Sequence, residues 1–330
     1  MLIKKIFVCE FVTAGGFNQL ELPAGLVAEG KLMRDALLQN LSTLQYEIST
    51  TTDARIESPI VEKNINIHPH DDVWKIWSEQ IEAVDAVWLI APETNGLLQK
   101  LTEIAVKRGK LVIGCGTSAI NLTSEKLVTY RMLQQASIDT IPTYTIENWP
   151  QSPGRWLTKP NNGAGCEDTV LFNTANDLAD WLEQYNKQSS HVIQPYIEGI
   201  AASISCVMHK GRAQVLSCNT QMISVEHNQL SFNGSQINGQ SDLWQPFESI
   251  AQQIAAVNLE LNGYVGIDVI VDAEDRNQIT VVEINPRLTT SYAGLAEATG
   301  QNPAELIINT LTQTHFVWPE LQRNVVNIHV

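Results

Sequence analysis

The sequence predicts an α/β domain built on a parallel sheet, followed by an α+β domain of two subdomains. Three observations carry this. Strand and helix patterns alternate over residues 1–120. Beyond residue 121 strands follow one another across short turns, with a glycine-rich loop over 161–165. The last strong strand pair carries two acids, Asp268 and Glu283, inside apolar runs. The expected division is 1–120 for a substrate-side domain, 121–190 for a small subdomain with the glycine loop, and 191–330 for a large subdomain.

The elements follow in order. Residues 3–9 read as an apolar strand, and the loop after it contains Gly15 and Gly16. A helix over 23–41 sets Leu26, Val27, Met33, Leu37 and Leu41 near one face. A weak strand lies near 46–50, a helix over 73–81, and a buried strand over 86–91 that leads to Glu93. Gly109 stops a helix over 97–108, and the next strand covers 111–114. This β-α-β-α-β order calls for a parallel sheet with helices on its faces. Ligands of such sheets bind beyond the carboxyl ends of the strands, so Glu10, Gly15, Gly16 and Glu93 form a candidate substrate rim.

In the second half a helix over 124–135 begins at Thr123 or Ser124 as N-cap. A strand over 156–159 enters Pro160 and the glycine loop, and strand 169–172, helix 178–185 and strand 191–195 follow. Strands 203–209 and 213–218 form a hairpin across Lys210-Gly211. The polar stretch 228–241 reads as a mobile loop. A helix over 247–261 precedes the final hairpin, 264–272 with 278–285.

Composition narrows the function. The chain has 330 residues, 44% hydrophobic and 17% charged, which suits a globular enzyme. A net charge of −15 repels phosphate backbones and argues against nucleic acid as a partner. No apolar run is long enough to span a bilayer and the start does not read as a signal peptide, so no membrane partner and a cytoplasmic location are expected. Five cysteines without C-x-x-C spacing indicate neither a zinc site nor a disulfide framework. Cys9, Cys115, Cys206 and Cys218 read as strand core, Cys166 has no basic partner to make it a nucleophile, and His68 and His70 read as a solvated loop.

The final hairpin holds the most specific chemistry. Side chains alternate along a strand, so Glu283 and Asn285 share a face. A turn centred between Asp275 and Arg276 sets Asp268 opposite Glu283. Directly opposed Cβ atoms lie about 5 Å apart. Two carboxylates at that spacing repel each other unless a cation lies between them. Oxygen-only donors suit a hard ion such as Mg²⁺ (or Mn²⁺), which fills its shell with phosphate oxygens and water. The alternative is pairing with a buried arginine or exposure to solvent, and Arg287 is the only nearby cation.

Lys159 ends an apolar strand just before Asn161-Asn-Gly163-Ala164-Gly165, where backbone amides can close over phosphates. Lys126 falls in the first turn of a helix, where the macrodipole disfavours a cation, which hints at a ligand. There is no G-x-x-x-x-G-K-[ST] motif, and Gly114-Cys-Gly116 is only a fragment of a dinucleotide fingerprint. Gln194-Pro195-Tyr196-Ile197 leaves a strand in a manner that can offer backbone groups to an adenine.

Taken in order, Lys126, Lys159-Pro160 with its glycine loop, Gln194–Ile197, Asp268 and Glu283-Ile-Asn285-Pro-Arg287 resemble the ATP-grasp superfamily over about residues 115–310. The segment ahead looks like its usual pre-ATP-grasp domain. The resemblance implies ATP bound between two subdomains by Lys126, Lys159, Asn161, Gly163, Ala164, Gly165, Gln194, Pro195, Tyr196, Ile197 and Glu198. It implies Mg²⁺ on Asp268, Glu283 and Asn285, and Arg287 as the catalytic residue steadying the carboxylate and the transferring phosphoryl group. The implied activity is an ADP-forming carboxylate–amine ligase working through an acyl phosphate. Cys9-Glu10-Phe-Val-Thr-Ala-Gly15-Gly16, Leu89-Ile-Ala-Pro-Glu93-Thr and Ser291-Tyr292 are similar to the group containing tyramine–L-glutamate ligase. That group joins glutamate, through its γ-carboxyl, to an aromatic amine in methanofuran-type cofactor biosynthesis, and the likeness adds Ser291 to the substrate-side set. One departure stands out: where many members carry an acidic ribose contact, this chain has Ala201. Other acceptors (amino acids or peptides) and a non-catalytic ATP-binding module remain as alternatives, and homo-oligomerisation is left open.

Overall fold

The computed structural model describes residues 3–163, 168–184 and 191–330. The first region contains β1 (Lys5–Glu10), α1 (Ala24–Ser42), β2 (Glu47–Asp53), β3 (Lys63–Ile67), α2 (Val73–Glu82), β4 (Ala86–Ile90), α3 (Leu97–Lys107) and β5 (Leu111–Val112). All five strands are parallel, in the order β3-β2-β1-β4-β5. β1 therefore lies at the centre with Ile6 to Cys9 fully buried, as an apolar run demands. β3 was not expected from the sequence. Its Lys-Asn-Ile-Asn-Ile alternates in the manner of an edge strand, and it pairs with β2.

The second region contains α4 (Thr117–Ser124), α5 (Lys126–Gln135), β6 (Tyr144–Thr145), β7 (Trp156–Pro160), β8 (Val170–Phe172), α6 (Ala175–Gln184), β9 (His191–Pro195), β10 (Ile200–His209), β11 (Arg212–Glu226), β12 (Gln229–Ile237), α7 (Trp244–Val257), β13 (Gly263–Val271), β14 (Ile279–Asn285), α8 (Leu295–Thr299), α9 (Pro303–Thr312) and β15 (Val326–His329). The strands run β14-β13-β10-β11-β12-β8-β7-β9-β6, antiparallel throughout, with β15 on β12. A parallel sheet followed by an antiparallel one is the fold class the sequence predicts.

Two expectations are corrected. The stretch 228–241 is no loop: Gln229–Ile237 is a strand paired with β11 and β15. Its polar alternation, with Leu230 and Phe232 on one face, is that of a strand with one solvated side. The expected helix over 124–135 forms as α5, but an unexpected helix, α4, runs up to Ser124, and Glu125 between the two is extended, so neither Thr123 nor Ser124 is the start expected of them. Thr123 does not cap the second. Its hydroxyl donates back to the Ala119 carbonyl at 2.9 Å.

Around β7, Trp149, Trp156, Phe172, Leu178 and Ile193 make a small separate core. The edge-to-face contact of Trp149 and Trp156, 5.1 Å between centroids, contributes about 0.5–1.5 kcal/mol beyond area burial. The region that carries the glycine loop thus has its own support. Among the described residues, no helix is long and apolar enough to cross a membrane.

Candidate active site

The carboxylate pair forms as the strand period requires. Asp268 on β13 stands opposite Glu283 on β14, and Gly266 stands opposite Asn285. Nearer the turn Val271 pairs with Ile279 and Val269 with Val281, a register offset by one residue. A bulge at Val282 absorbs the offset and aims Glu283 at Asp268.

The surroundings of the two acids differ. The Asp268 carboxylate accepts from Gln221 Nε2 at 2.8 Å and Asn285 Nδ2 at 3.1 Å. Burial, and then the facing Glu283, push its carboxyl up to about 7. Burial also opposes the charge of Glu283, but Lys126 and Lys159, with smaller help from Asp268 and Arg287, outweigh it and hold that carboxyl below its usual range. Asp268 is thus the member of the pair that burial and its neighbour drive toward the protonated form. Two facing carboxylates and an amide make a donor set that fits a hard divalent ion. Asn285 presents its N–H to Asp268, so binding an ion through its oxygen would turn that amide over.

Lys126 explains its unfavourable place at a helix start. Its Nζ lies 3.5 Å from a Glu283 oxygen and donates to the Gly163 carbonyl at 2.6 Å, tying the glycine loop to the carboxylate strand. Asn161 accepts the Leu127 N–H on its Oδ1 at 3.0 Å and so caps α5 from a distance. Lys159 is buried beside them. Ala164, Gly165 and Cys166 lie outside the described residues.

These groups open on a cleft of about 500 Å³. Gln194, Pro195, Tyr196 and Ile197 line it, with Ala201 and Ser203 from β10. So do Asp268, Glu283, Asn285, Lys159 and Arg287. Gln194 donates to the Thr143 hydroxyl at 2.8 Å while its own side-chain oxygen stays buried without a partner. Glu198 is turned away, exposed and 3.2 Å from Arg155, which stacks on Tyr196 at 4.2 Å.

Arg287 joins the two halves of the chain. Its Nε and Nη2 donate to the two carboxylate oxygens of Glu93 at 3.0 and 3.2 Å, and Nη1 donates to the Leu288 carbonyl at 3.2 Å. A guanidinium has five N–H bonds, so two are left for a ligand. Burial disfavours the Arg287 charge, and Glu93 first, then Glu283 and Glu29, more than restore it. Glu93 thus acts on Arg287 and not directly on the cleft.

The rest of the expected rim is arranged differently. Glu10 is 3% exposed and its carboxylate accepts the Thr13 and Val12 N–H groups at 2.8 and 3.3 Å. Gly15 takes φ +100°, and a Cβ there would lie 2.7 Å from Ile67 Cγ2. Gly16 packs on Phe11. Ser291 does line the cleft. The Gly114-Cys-Gly116 fragment holds no ligand: the start of α4 is occupied by Glu260, whose carboxylate accepts the Ser118 N–H at 2.8 Å. Sequence reasoning missed Gln221, Glu29, Met33 and Phe232 in the cleft. Phe232 could have been found from the alternation of 229–237, and nothing in the sequence marks the other three.

A family model described as an ATP-grasp domain matches residues 123–291, and one described as a pre ATP-grasp 3 domain matches residues 46–120. Tyramine–L-glutamate ligase of Methanocaldococcus fervens is 30% identical over 316 residues, covering 92% of each chain. The enzyme of the same name from Methanocaldococcus jannaschii is 28% identical, covering 93% of this chain and 89% of the relative. The solved structure of an ATP-grasp superfamily protein from Archaeoglobus fulgidus superposes with a TM-score of 0.72 at 23% identity, over 99% of both chains. With Lys159, the carboxylate cluster and Arg287 gathered in one cleft and Lys126 against Glu283, the chain belongs to the ATP-grasp superfamily, a pre-ATP-grasp domain leading into an ATP-grasp domain.

Proposed function

We propose that this ATP-grasp ligase phosphorylates a carboxylate with ATP and passes the acyl group to an amine, and that the pair is glutamate, through its γ-carboxyl, with tyramine or tyrosine. The observation that carries the reading is Arg287, clamped by Glu93 and standing beside the Asp268–Glu283 cluster with two N–H bonds to spare. The substrate pair rests on the shared name of the two Methanocaldococcus relatives.

In this mechanism Gln194–Ile197 hold the adenine, and Lys126, Lys159 and the glycine loop neutralise the phosphates. A Mg²⁺ or Mn²⁺ ion held by Asp268, Glu283 and Asn285 would supply the remaining positive charge at the phosphates. Arg287 orients the substrate carboxylate, whose oxygen attacks the γ-phosphorus as ADP leaves. The amine then attacks the acyl carbon, the C–O bond to phosphate breaks, and the amine gives up a proton. Each step calls for positioning and charge stabilisation, so no protein nucleophile is needed. The product class fits assembly of a methanofuran-type cofactor.

The test is incubation of the full chain with ATP, Mg²⁺, glutamate and tyramine or tyrosine. A γ-glutamyl amide by mass, stoichiometric ADP, and ¹⁸O carried from carboxyl-labelled glutamate into phosphate are expected. AMP as the nucleotide product would overturn the acyl-phosphate route. ADP formation with other carboxylates or amines alone would overturn the substrate pair.

A further inference from the structure

The cleft is also lined by residues that the proposed nucleotide and metal contacts do not use. α1 packs against the turn Thr290–Gly294 and brings Glu29 and Met33 into the cleft wall, one helical turn apart. Phe232 and Ser235 of β12 and Ser291 line the same cleft, and the Ser291 hydroxyl lies 3.4 Å from that of Ser235. This lining adds apolar surface, two hydroxyls and one carboxylate.

That carboxylate lacks a counter-ion of its own. Glu29 makes no hydrogen bond or ion pair among the described residues. Lys31, two residues on, lies 3.9 Å from Glu57 instead. The cation that acts on Glu29 is Arg287, which Glu93 already binds through two nitrogens. Glu93 therefore holds Arg287 directly, and Glu29 feels that guanidinium only at a distance. Glu29 is partly exposed, and an acid partly withdrawn from water without a dedicated partner is disfavoured, which an incoming cation relieves. Burial accordingly raises the Glu29 carboxyl above its usual range, and Arg287 offsets this only in part.

We propose that Glu29 is the specificity residue that binds the primary ammonium group of a substrate, with Met33 one helical turn away and Phe232 as apolar walls of the same cleft. The assignment rests on the ligase reading above and deepens it. Glutamate and tyramine both carry such a group, and the chemistry of recognition is the same for either.

The experiment is calorimetric titration of the full chain, loaded with Mg²⁺ and a non-hydrolysable ATP analogue, comparing wild type with Glu29→Gln. The ligands are glutamate against glutarate, and tyramine against 4-ethylphenol, each pair differing only in the amino group. Wild type should prefer the ammonium-bearing member of one pair at least tenfold, and Glu29→Gln should erase that preference while leaving affinity for the nucleotide analogue unchanged. Loss in the first pair assigns the ammonium of glutamate, and loss in the second assigns that of the amine. An ammonium preference that survives in Glu29→Gln, or none in wild type, overturns the proposal. If wild type binds neither glutamate nor tyramine, the substrate pair proposed above falls. Glu29 is then judged on a panel of amino acids and simple amines, and failure to find one whose binding depends on Glu29 overturns the assignment as well.

Discussion

Glu10 and Glu283 both lie near the carboxyl ends of strands, where open sheets bind ligands, and both are largely shielded from water. Glu10 finds its partners within the next three residues, and α1 closes over it so tightly that a Cβ at Gly30 would lie 2.5 Å from its Oε2. Glu283 finds Lys126 and Lys159 from elements more than a hundred residues away. The first arrangement folds a loop, and the second leaves charges facing a cavity. Position at a strand end is therefore a poor guide to function, and the origin of the partners is the better one.

The strongest way to break this comparison is Glu283→Ala. Turnover with saturating ATP and Mg²⁺ should fall by about 10³-fold or more, because charge stabilisation is removed at the phosphates. The circular dichroism spectrum should stay native. Near-normal turnover would remove the reason for treating the pair as a metal site.

Glu93→Gln should act more mildly and at a distance. The amide keeps one bond to Arg287 but loses the paired charge, so the guanidinium loses its fixed position. A drop in kcat/KM of about 10- to 100-fold is expected, in the range a small misplacement costs. Stability should fall by about 1–3 kcal/mol, since a paired buried ion loses its counter-charge. Unchanged kinetics would mean that Leu288 alone orients Arg287.

Much of the cluster was legible before the structure because a strand has a period of two and the last hairpin has an obvious turn. The pairing of Asp268 with Glu283 is nevertheless reached through a bulge at Val282 that no turn count contains. Strand 229–237 was hidden by polarity, although Leu230 and Phe232 alternate as a half-solvated strand should. Gln221 and Glu29 could not be read at all. Each looks like an ordinary surface polar residue until β10 sets β11 one strand from β13 and α1 is laid against Thr290–Gly294. Long-range packing decides which polar residues face a cavity, and local pattern carries no trace of it.

The smallest effect is expected at Glu10, and it separates the two acids on an axis other than turnover. Glu10→Gln should leave kcat and KM within about threefold and cost about 1–2 kcal/mol in urea unfolding, through one mismatched backbone contact. Its pH dependence has a definite sign. Burial raises the Glu10 carboxyl in the folded chain, against the pull of Thr13, Val12 and Arg34. A raised carboxyl binds its proton more tightly folded than unfolded, so its stabilising share is complete below the ordinary glutamate range. That share is lost as pH rises through the raised value. Glutamine does not titrate, so the penalty of Glu10→Gln should shrink as pH rises above the ordinary glutamate range. A penalty that grows with pH would mean that the folded chain prefers Glu10 charged. A large rise in the KM of a substrate would return Glu10 to the rim.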